Sequence, residues 1–200
     1  MFYIFRFDPY QIFEVSILTV IASLTNLLHS ASNQSVFLSA WKLANVTPIF
    51  KKRDPSNPAN YRPISLLSFL GKLMECCVNT VLYNYPVSKD LVSPLQSGFS
   101  KGDSTINQLT FLFNDVCKAL DDGKDVRAVF CAISKAFDRV WYRGLLHKLS
   151  ALCISGSLLR WFSSYLSSRQ QRVLYAGSSS SWSSINAGVP QGSILVPLIC

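Results

Sequence analysis

The side chains of this sequence offer phosphate-contacting chemistry first. Lys42, Lys51, Lys52, Arg53 and Arg62 fall in one short stretch in which Asp54 is the sole acid, the pattern a surface touching a phosphate backbone requires. A solvated basic loop satisfies the same pattern, and charge alone favours that blander reading. The whole chain leans the same way: Lys and Arg outnumber Asp and Glu by 19 to 11, for a formal net charge of +8, so acidic partners are favoured. Sulfur-based metal chemistry is not signalled. Cys76, Cys77, Cys117, Cys131, Cys153 and Cys200 include no C-x-x-C pair and no histidine at zinc-ligand spacing. They read as reduced thiols, with Cys131 a small core residue inside its apolar run. Reduced thiols fit an intracellular protein of the cytoplasm or nucleus.

These residues need a scaffold, and 200 residues of which 49% are hydrophobic can bury one core, as a single globular unit or a large piece of a bigger one. Residues 12–28 are largely apolar, and Leu18, Ile21, Leu24, Leu27 and Leu28 recur at helical spacing. A buried helix is the favoured reading. A membrane or secretory segment is the minor alternative, because Asp8 and Glu14 interrupt the flank and the run is marginal for a bilayer span. Residues 44–50 read as a short strand, followed by a loop rich in Pro, Asn and charge that residues 62–65 leave. Residues 66–81 follow as a helix, with Leu70, Leu73, Met74 and Cys77 on one face and Lys72 and Glu75 on the other. Pro86 and Pro94 bracket a connector. Ser104 or Thr105 caps a helix running to about residue 120, with Leu109, Leu112, Phe113 and Val116 inward. Residues 126–133 form a nearly unbroken apolar run of strand length, the expected central strand. Helices near 145–152 and 157–166 and a hairpin pairing 171–175 with 183–187 complete the order.

Four blocks in that order resemble one family. Trp41-Lys-Leu-Ala-Asn-Val-Thr-Pro-Ile-Phe-Lys-Lys52 with Asn60-Tyr-Arg-Pro-Ile-Ser-Leu-Leu67 resembles the start of the fingers in LINE-type (non-LTR retrotransposon) reverse transcriptases, especially the jockey-like and CR1-like groups. Gln96-Ser-Gly-Phe99 with Asp103-Ser-Thr105 is similar to their second fingers block. Phe130-Cys-Ala-Ile-Ser-Lys-Ala-Phe-Asp-Arg-Val-Trp141 looks like polymerase motif A, and Gly188-Val-Pro-Gln-Gly-Ser-Ile-Leu195 like motif B. The resemblance implies an α+β fold, a partial right-hand polymerase with a mixed sheet and packed helices. It places a divergent apolar helical segment over 1–23 and an incomplete reverse transcriptase domain over 24–200, with fingers over 24–125 and a partial palm over 126–200.

What it implies for catalysis is unfavourable. RNA-directed DNA polymerisation uses two magnesium ions about 4 Å apart, held by carboxylates from neighbouring strands. The motif A carboxylate stands five residues before the Phe of Ala-Phe-Asp, and that position is Ala132. Asp138 lies six residues further on, where an anchoring role is expected rather than a ligand role. The second carboxylate belongs to motif C, expected some tens of residues after motif B, and the sequence stops before it. Magnesium is thus a family cofactor not expected to bind here. Other matched positions survive: Phe137 as a gate against the sugar 2′-hydroxyl or a core aromatic, Arg62 as a triphosphate contact, and Gln191 and Gly192 in the motif B turn. Ser100, Tyr142 and Val196 depart from residues common in the family.

The resemblance names RNA template and DNA primer as partners, with no specific protein partner and no membrane. Three readings follow: a polymerase domain, a silent nucleic-acid-binding module that keeps Lys51, Lys52, Arg53 and Arg62, and a decayed fragment. Of the last two the decayed fragment is favoured, because half a palm leaves unpaired strand edges.

Overall fold

The computed structural model describes residues 9–199 except 90, 92, 94 and 101; expectations resting on residues 1–8, the Leu18 side chain, Pro94 and Cys200 lie outside them. The architecture is α+β around a mixed sheet, as expected. Strand β1 (Leu43–Phe50) pairs antiparallel with β2 (Tyr61–Leu66), in a register running from Asn45↔Leu66 to Phe50↔Tyr61. On its other side β1 pairs in parallel with β3 (Arg169–Tyr175), from Leu43↔Gln170 to Val46↔Val173. That parallel ladder stops before Pro48, which has no N–H to donate. β3 carries β4 (Ser178–Ser179) and β5 (Ser183–Ile185) antiparallel on its far side; the hairpin expected to pair 171–175 with 183–187 instead pairs 169–171 with 183–185, and 174–175 with 178–179. Arg172, opposite Asn45 in the parallel register, donates its Nε–H to Asn45 Oδ1 at 2.8 Å.

The described residues form six α-helices: α1 (Pro9–Asn33), α2 (Phe69–Ser88), α3 (Thr105–Asp121), α4 (Tyr142–Ala151), α5 (Gly156–Leu166) and the single turn α6 (Val196–Ile199). Residues of α1, α2, α4, α5 and α6 meet in one core. Phe37 sits at its centre, edge-on to Trp41, Trp161 and Tyr165 with ring centroids 5.4, 5.6 and 5.0 Å away, while Trp161 and Tyr165 stack at 5.5 Å. Such offset and edge contacts add to the area these rings bury. Met74 and Leu82 of α2, Leu145 and Leu149 of α4, and Phe162 and Leu166 of α5 close around them. β1 turns Ala44 and Val46 inward on alternate residues.

Six expectations are corrected. Helix α2 does not end at 81 but runs to Ser88 with Pro86 inside it, and Glu75, expected on the solvent face, is 1% exposed. Helix α1 forms, and of its described side chains Ala31 is buried while Val20 and Ile21, the latter expected buried, face out. Among the described residues no helix is long and apolar enough to cross a membrane. Helix α3 forms where Ser104 caps it, yet Leu109 and Phe113, expected inward, are 59% and 70% exposed. None of its residues is buried.

The strand expected over 126–133 is absent: the run has no regular structure, with Val129, Phe130 and Ile133 at 86%, 85% and 80% exposure. β1 is flanked by β2 and β3, and β3 by β1 on one side and β4 and β5 on the other, and the 126–133 run pairs with none of these strands. Cys131, expected in the core, is exposed on the same run, and it is a free thiol like Cys76, Cys77, Cys117 and Cys153.

Candidate nucleic-acid interface and polymerase site

The β1–β2 hairpin brings together four of the five cations singled out in the sequence. Lys51, Lys52 and Arg53 form its tip, and Arg62 stands opposite Ile49 on the returning strand. All four are exposed, and none forms an ion pair among the described residues. The one acid in the loop is used internally: Asp54 accepts from the Ser56 backbone N–H at 2.9 Å and from the Ser56 hydroxyl at 2.7 and 2.8 Å. Those donors hold its carboxyl below the usual carboxylate range. The loop is further fixed by Asn60 Nδ2 donating to Asp54 O and Tyr61 OH donating to Pro55 O, both at 2.8 Å. The result is a pre-shaped cationic tip, suited to oxyanions. Lys42, the fifth cation, is not part of it. It is buried, and burial first and neighbouring Arg169 second push its ammonium pKa down.

A second cluster joins the two motif blocks. The turn at Phe137–Arg139 meets the glycine-rich turn in a run of hydrogen bonds. Val189 N–H donates to Phe137 O at 2.8 Å and Gly188 N–H to Val140 O at 2.9 Å. Gln191 Nε2 donates to Asp138 Oδ1 at 3.0 Å. Tyr142 donates its hydroxyl to Gly188 O at 2.8 Å. From β2, Ser65 N–H donates to Gln191 O at 2.8 Å. Two glycines permit this closeness: Gly188 has φ +82 and an added Cβ would lie 2.8 Å from Asp138 O, and Gly192 has φ +122 with a Cβ 2.8 Å from Ser65 O. Only glycine takes such backbone and such contact without strain. Between these parts lies a cavity of about 280 Å³ lined by Pro63, Ser65, Asp138, Arg169, Gln171 and Gln191, among others.

Asp138 is thereby an anchor for Gln191. Phe137 packs half-buried against the core and is not among the residues lining that cavity. Ala132 stays apart from both clusters, exposed on the unpaired 126–133 run. Two magnesium ions need convergent carboxylate oxygens, and the residues present do not fit them: a methyl group stands at 132, Asp138 is engaged by Gln191, and the described residues contain no group of three or more His, Cys, Asp or Glu able to hold a metal.

Sequence reading missed a buried polar network beneath the turn. Glu75 of α2 accepts from Ser193 Oγ at 2.7 Å and from Ile194 N–H at 2.8 Å. Ser193 Oγ lies 2.9 Å from the Tyr165 hydroxyl, whose pKa is driven well up by burial and then by Glu75. Arg169, 1% exposed, donates from Nη1 to Tyr165 O at 3.0 Å and covers the Tyr165 ring at 4.8 Å. Its Nε and Nη2 have no partner. One signal could have found Glu75: it lies within the stripe of Gly71, Met74, Val78 and Leu82, four residues after the first and seven before the last.

The chain matches the family model described as reverse transcriptase (RNA-dependent DNA polymerase) over residues 50–200. It is 38% identical over 164 residues to the probable RNA-directed DNA polymerase from transposon BS of Drosophila melanogaster, covering 82% of this chain and 18% of that protein. To the RNA-directed DNA polymerase from mobile element jockey of the same species it is 36% identical over 175 residues, 86% of this chain and 19% of that protein. A match at 26% identity over 160 residues reaches the Pol polyprotein of type-1 retrotransposable element R2 of Popillia japonica, 80% of this chain and 22% of that one. The chain therefore spans about a fifth of the length of these relatives. With four motif blocks in family order, an α+β fold and these matches, the chain belongs to the reverse transcriptase family, as a reverse transcriptase domain of the LINE-type, non-LTR retrotransposon kind.

Proposed function

We propose that this chain is a catalytically silent reverse transcriptase domain that keeps a nucleic-acid-binding surface. The observation that carries the silence is Ala132: the position matching the family's metal carboxylate holds a methyl group, and the described residues contain no group of three or more His, Cys, Asp or Glu able to hold a metal. Charge neutralisation and in-line positioning supply most of the rate in phosphoryl-type transfer, and a methyl group at 132 supplies neither. Binding is supported by the hairpin tip, where Lys51, Lys52, Arg53 and Arg62 present uncompensated charge to solvent. In this reading Arg62 meets phosphate oxygens, Gln191 and Gly192 border the paired strand, and Phe137 is a core aromatic rather than a gate. RNA template and DNA primer are the partners, and the fingers and partial palm divide near residue 125.

Primer extension tests the first half. Purified chain with magnesium, an RNA template and a DNA primer is expected to give no product, and Ala132→Asp alone is expected not to restore it, since one new carboxylate on an unpaired run still lacks a second. Product above a template-free control would overturn the reading, with Asp138 the first suspect as ligand. Salt titration tests the second half. Each phosphate contact removed from the tip should lower the log-log salt slope by roughly 0.7 to 0.9, and unchanged binding after charge reversal of all four residues would remove the binding surface. A second reading, a decayed segment that binds nothing, is favoured by the exposed apolar run at 126–133, and absence of salt-dependent binding by the folded chain would select it.

A further inference from the structure

We propose that Glu75 is a positioning residue for the glycine-rich turn: its buried carboxylate sets where Gln191 and Gly192 meet the nucleic acid that the basic hairpin holds. The inference rests on the binding half of the proposed function and adds a residue that none of the motif blocks contains.

Beyond the bonds that hold its Gly188–Val189 start, the turn hangs on three supports at its Gln191 end. Asp138 holds the Gln191 side chain from an exposed position, and Ser65 holds the Gln191 carbonyl through its backbone N–H. The third is sealed from solvent. Glu75 Oε2 takes two donors from the residues immediately after Gly192, the Ser193 hydroxyl at 2.7 Å and the Ile194 N–H at 2.8 Å. Proton accounting gives the network one direction. Ser193 Oγ accepts the Leu195 N–H at 3.1 Å and spends its single proton on Glu75, so the Tyr165 hydroxyl at 2.9 Å must donate to it. The chain runs Tyr165 to Ser193 to Glu75 and leaves the carboxylate as acceptor of the whole network.

This arrangement separates placement from attraction. The hairpin cations act through solvent and over distance, whereas Glu75 is buried and makes no phosphate contact of its own. What it fixes is the exit of a turn whose φ of +122 at Gly192 lets the backbone pivot. Removing the acceptor strands a hydroxyl and an amide N–H in a buried site, at the full desolvation cost of each. The turn can recover those partners only by moving toward water, which carries Gln191 with it. A glutamine at 75 keeps a carbonyl oxygen able to accept both donors, so it should rescue what leucine destroys.

The test uses the full chain, an RNA–DNA hybrid duplex as probe, and two readouts: affinity by fluorescence anisotropy across a salt series, and the Gln191 side-chain amide resonance by NMR. In the unmodified chain the duplex is expected to shift the Gln191 amide. Glu75→Gln should behave alike. Glu75→Leu should lose the Gln191 response and bind about tenfold more weakly, with the salt slope unchanged because the phosphate contacts are still made. If Glu75→Leu does not fold, Ser193→Ala carries the test, with the same loss of response and an intact slope expected. A folded Glu75→Leu or Ser193→Ala chain with unaltered affinity and Gln191 response overturns the inference while leaving the binding surface standing. An unmodified chain that does not bind the duplex overturns both, and that outcome is recognised by the missing salt dependence.

Discussion

Two parts of this molecule carry the same kind of apolar pattern and meet different fates. In the first, residues 34–46 and 142–175 bring Phe37, Trp41, Trp161, Phe162 and Tyr165 into one aromatic cluster with α2 and the glycine-rich turn. In the second, residues 105–133 hold an amphipathic helix and an apolar run of strand length, and both present their hydrophobic faces to solvent. Composition does not separate them. Partners do: the first set supplies complementary faces from several elements, while in the second no residue of α3 is buried and the 126–133 run pairs with no strand. A hydrophobic pattern states that a face needs cover, and it does not state what covers it.

The largest expected effect breaks this comparison most directly. Phe162→Ala empties a fully buried site and should cost about 3–5 kcal/mol, whereas Phe113→Ala on α3 should stay within about 0.5 kcal/mol. Urea unfolding midpoints for the two variants check it, and similar losses would mean that α3 is packed in solution. Next in size is Gly188→Ala, which forces a side chain into the left-handed region and against the Asp138 backbone. The conformational term alone is about 1–2 kcal/mol, and the same unfolding series should show at least that loss. The Gln191 to Asp138 hydrogen bond should weaken with it, read from the Gln191 amide resonance.

Alkaline pH probes the packed part alone. Tyr165 has a folded pKa raised above its ordinary 10.0, so the folded state keeps a proton the unfolded chain releases, and its contribution is lost as pH climbs beyond 10. Lys42 has a folded pKa pushed below its ordinary 10.5. It acts in the opposite sense, with stability recovered as pH rises toward that value. Stability should therefore fall above pH 10 in the unmodified chain and fall less steeply in Tyr165→Phe. An identical alkaline limb in both would show that Tyr165 does not govern it.

How much of this could be read from the sequence follows from what each signal encodes. Strand β1, the Ser104 cap and helices α4 and α5 were legible because their determinants are local: a short strand-type run in 44–50, a side-chain oxygen before a helix, apolar residues at helical spacing. The basic tip was legible because Lys51, Lys52, Arg53 and Arg62 lie close in sequence and again across the hairpin register. Glu75 was misread because a helical wheel assigns a lone acid to water, and its partners at 193 and 194 are more than a hundred residues away. The run at 126–133 was read as a strand because its apolar content fits one, but pairing needs a partner strand from elsewhere in the chain, and no local pattern records that. Lys42 failed for a related reason: it belongs to the basic stretch by position, while the turn at Ser39–Lys42 leaves it buried.

The smallest expected effect sharpens the comparison further, because it asks whether α3 belongs to the cooperative unit at all. Ser104 accepts the Asn107 N–H at 3.1 Å, and removing such a cap costs its helix about 1 kcal/mol. In a helix packed on a core that loss would pass into global stability. In α3 it has no route, since the helix buries nothing against the sheet or the aromatic cluster, and an isolated helix of 17 residues is marginal on its own. Ser104→Ala should therefore lower the far-ultraviolet helical signal and speed amide exchange near Asn107, with the fluorescence midpoint of the buried Trp41 and Trp161 unmoved. The two probes should already fail to coincide in the unmodified chain, as they must when one element melts apart from the rest. A tryptophan midpoint that falls together with the helical signal would show α3 coupled to the core, and the contrast between the two regions would then be one of exposure only, not of cooperativity.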